Sequence, residues 1–153
     1  MEKGINDEIL EKFGLQCAPL NTYSPLTLAY IGDDIYDLVI RSIVVGRGNT
    51  HASRLHHQTS QLVKAHAQSR MIELLMPQLT EEEEQIYRRG RNAKSATMAK
   101  NASMSDYRRA TGFEALMGYL YLKGDFSRIL ELVRAVLPVY EEELREKKQN
   151  RDK

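Results

Sequence analysis

The chain has 153 residues, 42% hydrophobic and 28% charged, which suits one soluble globular domain spanning 1–153 and leaves no uninterrupted apolar run for a membrane span. A formal net charge of +1 neither demands nor excludes a nucleic-acid partner, so the local distribution of charge has to decide. The one cysteine, Cys17, excludes an internal disulfide and a cysteine-based zinc cluster and suits a reducing cytoplasm; the N-terminus, MEKGINDEIL, lacks the apolar run of a signal peptide.

Asn6 to Phe13 reads as a short amphipathic helix with Ile9, Leu10 and Phe13 inward and Gly14 ending it. After a loop containing Pro19, Ser24 and Pro25 make a strong helix start, a hydroxyl N-cap followed by proline at the first helical position. The helix runs to about Val45, where Gly46 and Gly48 stop it. At roughly 100° per residue, Leu26, Ala29, Asp33, Asp37 and Ile40 share one sector, which makes Asp33 the acid most surrounded by apolar neighbours. Asp34 falls on the more polar side near Thr27 and Arg41, and Asp37 pairs with Arg41 four residues on.

Asn49 to Ser53 caps a second helical stretch, His51 to Met76, with Leu55, Leu62, Val63, Ala67, Ile72 and Leu75 inward and a break expected before Pro77. Its histidines, His51, His56, His57 and His66, invite a metal reading. The structural reading is preferred, because no carboxylate sits at ligand spacing and the adjacent His56 and His57 diverge on a helix. Thr80 and Glu83 form a capping box, and Glu81 to Glu84 suit the positive end of a helix, as a solvated face. Arg88 and Arg89 close that helix before Gly90.

Arg91 to Ser105 has small and polar residues, no acid and no apolar period, so it is read as a loop. With the preceding arginines it offers Arg88, Arg89, Arg91, Lys94 and Lys100 to a phosphate backbone. The string GRNAKS is not a phosphate-binding P-loop, since the glycines that loop requires are missing. No aromatic residue interleaves with the cations, which favours a duplex backbone over stacked single-stranded bases.

Asp106 is read as the cap of the next helix, in which Ala110, Glu114, Met117, Gly118 and Tyr121 share a sector, and Gly118 would admit another helix closely. Lys123 to Asp125 makes a turn. Phe126 to Leu137 is a helix with Ile129, Leu130, Val133 and Val136 inward, interrupted by Pro138; the core spans about 20–137 and the charged tail 139–153 is expected to be mobile. Two helices therefore each place one carboxylate, Asp33 and Glu114, on an apolar face. Mutual repulsion, separate cationic partners or one shared divalent cation would each accommodate that pair.

Tyr30-Ile31-Gly32-Asp33, followed by Phe113-Glu114-Ala115-Leu116-Met117-Gly118-Tyr119-Leu120-Tyr121-Leu122, resembles the paired signature of the ribonuclease III catalytic domain. The stretch from Glu81 through Arg88-Arg89-Gly90-Arg91-Asn92-Ala93-Lys94-Ser95 resembles in particular the Mini-III branch, which comprises the catalytic domain alone. The resemblance covers roughly 20–136. It implies an all-α fold and a homodimer that cleaves double-stranded RNA with Mg2+, in maturation of the large-subunit ribosomal RNA precursor in the bacterial cytoplasm, away from any membrane. It leaves open a ribosomal protein as helper. It assigns Asp33 and Glu114 as catalytic and metal-binding residues. Ala29 and Thr111 stand where the wider family usually has a glutamate and an aspartate, which removes charge from the site. They motivate the alternative of a non-catalytic RNA- or ribosome-binding domain, and within the enzyme reading they favour a single weakly held Mg2+.

Overall fold

The computed structural model describes residues 4–94 and 103–153. Among them the chain is all-α: α1 (Ile5–Lys12), α2 (Pro25–Arg47), α3 (Ala52–Val63), α4 (Ala65–Leu75), α5 (Glu81–Asn92), α6 (Met104–Lys123) and α7 (Phe126–Arg151), with short 3₁₀ turns at Leu20–Thr22 and Met76–Gln78. No helix among the described residues is long and apolar enough to cross a membrane.

The fold is built around α6. Half of this helix is buried, on several sides, and α2, α4, α5 and α7 pack against it. Phe113, Leu116 and Met117 are fully enclosed, and Tyr36 of α2 meets Phe113 edge to face with ring centroids 5.0 Å apart. The Tyr36 hydroxyl is satisfied in that apolar setting by donating to the Leu62 carbonyl of α3 at 2.8 Å. One aromatic side chain thus joins three helices.

Helix starts follow the local chemistry. Ser24 Oγ accepts from the Thr27 N–H, and Pro25 occupies the first turn. The long second stretch divides at Lys64, which is extended and ends α3 while starting α4. Ser103, rather than Asp106, caps α6: its Oγ accepts from the Asp106 N–H at 3.0 Å. Asp106, at the third helical position, instead pairs with His66 of α4 at 3.0 Å.

Several expectations about faces are corrected. Nothing in α1 is buried: Ile9 is 47% exposed and Phe13 beyond it 77%, because no element among the described residues covers that face. Leu130 also faces outward, and Leu132, Leu137 and Tyr140 take inward positions on α7. Gly90 does not end α5. It lies inside the helix, where a Cβ would come within 2.8 Å of the Ala115 side chain, so it sets the close approach of α5 to α6. Glu83 is not part of a solvated face. It is 5% exposed, completes the capping box with Thr80, and receives Arg128 Nε and a second guanidinium nitrogen at 2.8 and 3.0 Å.

The last helix continues through Pro138 to Arg151 instead of stopping. The first turns after Pro138 are docked: Tyr140 is buried, Arg47 grips Glu141 through two hydrogen bonds of 2.9 and 2.7 Å, and Arg70 grips Glu143 through two of 3.0 and 2.7 Å. These contacts outweigh the missing proline N–H, and residues 139–151, expected to be mobile, are helical.

Candidate active site

Asp33 and Glu114 emerge where α2 crosses α6. The crossing is exceptionally close because both helices present glycine: a Cβ on Gly32 would lie 1.7 Å from the Glu114 carbonyl oxygen, and one on Gly118 would lie 1.9 Å from the Leu28 carbonyl oxygen. Gly32 directly precedes Asp33, and Glu114 stands one turn before Gly118. The glycine contact therefore brings together two carboxylates that are far apart in sequence, 114 minus 33 being 81 positions.

The two acids differ in environment. Asp33 is exposed at the rim, because the buried stripe of α2 runs through Leu28, Gly32, Ile35, Tyr36, Val39 and Ile40, leaving it just outside. Its pKa is raised by partial burial and by the charges of Asp34 and Asp37. Asp37 is tied to Arg41 at 2.8 Å, as the four-residue spacing predicts. Glu114 sits deeper, and burial together with the nearby Asp33 charge pushes its pKa up to about 8. Asp33 thus ionises first, and the cost of a second negative charge falls on Glu114.

Gln68 of α4 is the site residue that sequence reasoning missed. It is 1% exposed, and its Nε2 donates to the Val63 carbonyl at 2.9 Å. Its amide also favours the ionised form of Glu114, partly opposing burial. Its Oε1 has no hydrogen-bond partner. A polar residue amid the inward positions Ala67, Met71 and Ile72 was the available signal, but helical periodicity alone does not say which site it faces.

Thr111, one turn before Glu114, is 8% exposed and its hydroxyl donates to the Tyr107 carbonyl at 3.0 Å. Ala29 is buried in the same small cluster as Leu28 and Ala115, so its position serves the helix crossing. Among the described residues no three acidic, histidine or cysteine side chains converge as a ready-made set of metal ligands. The local donor set is two carboxylates and a neutral amide.

These residues fit a divalent cation. Two carboxylates repel each other with one of them desolvated, and the adjacent buried carbonyl oxygen lacks a donor that a cation-bound water could supply. Hard oxygen donors with room for water are the preference of magnesium-like ions.

The cations singled out for RNA are less uniform. Arg88 pairs with Glu84 at 2.6 Å on the surface of α5. Arg91 lies over the Tyr87 ring at 5.7 Å, while Arg89 and Lys94 are exposed. Lys100 lies outside the described residues.

The match to known proteins agrees with this geometry. Residues 26–125 match the Ribonuclease III domain family. The chain is 48% identical over 124 residues to a Mini-ribonuclease 3 from Clostridium tetani, covering 80% of this chain and 82% of that protein. It is 44% identical over 137 residues to one from Thermoanaerobacter, covering 90% and 93%. A crystal structure of a Fusobacterium nucleatum protein superposes with a TM-score of 0.70 at 29% identity, covering 76% of this chain and 93% of the other. A domain match across most of the chain, relatives of nearly the same length and a close acid pair on the expected helices lead to one conclusion: the chain belongs to the ribonuclease III family, in its Mini-ribonuclease 3 group, and is an endoribonuclease.

Proposed function

We propose that the protein cuts double-stranded RNA by magnesium-dependent hydrolysis, with Asp33 and Glu114 as the metal-binding carboxylates. The convergence of these two acids across the Gly32–Gly118 contact carries the proposal. When bound, the ion supplies charge neutralisation, polarises the phosphodiester and acidifies a bound water. The residues of the chain do the positioning. Asp33 presents its carboxylate from the solvent side and Glu114 from the apolar side, while the Gln68 amide orients Glu114 and offers Oε1 to a water. The Thr111 hydroxyl, already directed to a backbone carbonyl, contributes a neutral oxygen but no charge. One weakly held ion is the occupancy this set supports.

Arg89, Arg91 and Lys94 at the end of α5, with Arg88 after exchange from Glu84 and with Lys100, hold the phosphate backbone. Because both carboxylates are present and the family is one of endoribonucleases, the non-catalytic alternative is not favoured.

The substrate is the large-subunit ribosomal RNA precursor in the bacterial cytoplasm, and the working unit is a homodimer. The exposed apolar side chains Phe13, Leu15, Leu26 and Tyr30, the last 80% exposed, support a second copy covering α1 and the outer face of α2. Incubating the protein with an end-labelled RNA duplex and the same single strand, with magnesium and with chelator, tests the proposal. Magnesium-dependent cutting of the duplex alone is expected; equal cutting of the duplex and the single strand, or cutting in chelator, contradicts it.

A further inference from the structure

A groove of about 550 Å³ lies between the α3–α4 junction and the last turns of α7, with Tyr140 in its lining. Lys64 and His66 line one side, and Lys147, Lys148 and Arg151 the other. The spacing of Leu144, Lys147, Lys148 and Arg151 places them on one helical face.

The charge here is uncompensated for a specific reason. The three glutamates that precede these lysines on α7 are each engaged by an arginine: Glu141 by Arg47, Glu142 by Arg145 and Glu143 by Arg70. The acids further along, Glu146 and Asp152, do not line the groove. Among the described residues Lys64, Lys147, Lys148 and Arg151 form no ion pair, whereas most arginines elsewhere do. His66 is held by Asp106. A chain of net charge +1 thus gathers in one concave place four cations that form no ion pair among the described residues.

The groove reaches the same end of α4 as the residue that meets the acid pair. Lys64 follows Val63, whose carbonyl holds the Gln68 amide beside Glu114. We propose that this groove is a second phosphate-backbone surface, on which α7 holds RNA that enters the Asp33–Glu114 site. The inference rests on the duplex-cleavage reading above and adds a binding surface separate from the end of α5. An acidic polypeptide would suit the charge, but only a nucleic-acid backbone would have reason to reach both the groove and a phosphodiester site.

The test is the salt dependence of RNA affinity. Fluorescence anisotropy with a labelled duplex in chelator, across about 50 to 200 mM salt, compares the parent with a Lys64→Gln, Lys147→Gln, Lys148→Gln, Arg151→Gln variant. The expected slope of log affinity against log salt is shallower by about two to four, near 0.9 for each phosphate that is no longer neutralised. Replacing the three lysines by arginine preserves the charge and is expected to keep the parent slope. Circular dichroism checks that α7 remains helical. An unchanged slope in the glutamine variant overturns the inference and leaves the groove to an acidic protein, with the duplex-cleavage reading intact. A parent that does not bind duplex RNA overturns that reading as well.

Discussion

Gly32 and Glu114 touch backbone to backbone: the space a Gly32 Cβ would occupy is 1.7 Å from the Glu114 carbonyl oxygen. This closeness fixes the depth at which α2 lies on α6, and with it the separation of the two carboxylates. Gly32→Ala cannot be absorbed by a rotamer change, because the obstructing atoms are backbone. We expect a destabilisation of about 3 kcal/mol or more, at or above the upper end for overpacking, with cleavage abolished in parallel. Thermal unfolding checks this, and a variant with parent stability would show that the helices can separate freely.

Glu114 makes the metal-free protein sensitive to pH. Its ordinary value is 4.5 and the folded chain lifts it to about 8. Between those values the folded state keeps a proton that the unfolded state has released, so stability falls as pH rises through the window and levels off above it. Denaturant unfolding of chelated protein should show that decline, and Glu114→Gln should flatten it. Equal pH slopes in parent and variant would contradict the placement of Glu114.

Gln68→Leu keeps volume and removes the amide. We expect the fold to survive, because the leucine replaces a buried group whose oxygen is already unpartnered, while divalent-ion affinity falls about 10- to 100-fold, as when a group that orients a ligand is removed. Manganese binding followed by electron paramagnetic resonance reads this without relying on turnover. Rescue of cleavage by high magnesium would accompany it; unchanged manganese affinity would remove Gln68 from the site.

Away from the chemistry, Glu83 offers a contrast. Burial pushes its carboxyl up, but Arg128 and the Thr80 N–H outweigh burial and hold it below its ordinary value. Glu83→Ala leaves Arg128, 24% exposed at its side chain, without its main partner and removes half of a capping box. A destabilisation of about 3 kcal/mol is expected, with cleavage reduced only in proportion to the unfolded fraction. A change below the ~1 kcal/mol typical of exposed pairs would show that water has replaced the ion pair.

Much of this architecture could be read from the sequence where one local rule was sufficient. Ser24 with Pro25, Thr80 with Glu83, and Asp37 with Arg41 each encode their interaction within four residues, and all three are present. The acid pair was legible through its two motifs, and Gly118 through its missing side chain. What was not legible depended on distant segments. Glu83 looked solvated because Arg128 is forty-five positions away, and the stretch just after Pro138 gave no sign of docking because Arg47 and Arg70 come from α2 and α4. Helical periodicity set Asp33 among apolar neighbours; the residue pressed against α6 is instead Gly32, so the buried stripe runs through Leu28, Gly32, Ile35 and Val39 and leaves Asp33 at the rim. The apolar side of α1 pointed to a core, but nothing among the described residues buries it.

The central claim is that Asp33 and Glu114 act as one cation-binding pair. The most direct measurement is the single-turnover rate of duplex cleavage by the parent, Asp33→Asn and Glu114→Gln across a magnesium titration. The ion's contribution to the barrier is several kcal/mol, so each variant should cut at least about 100-fold more slowly at every magnesium concentration. Removing both acids should cost little more than removing either one, as expected for residues acting as a unit. A variant that cuts at the parent rate, or losses that simply multiply in the double variant, would contradict the account.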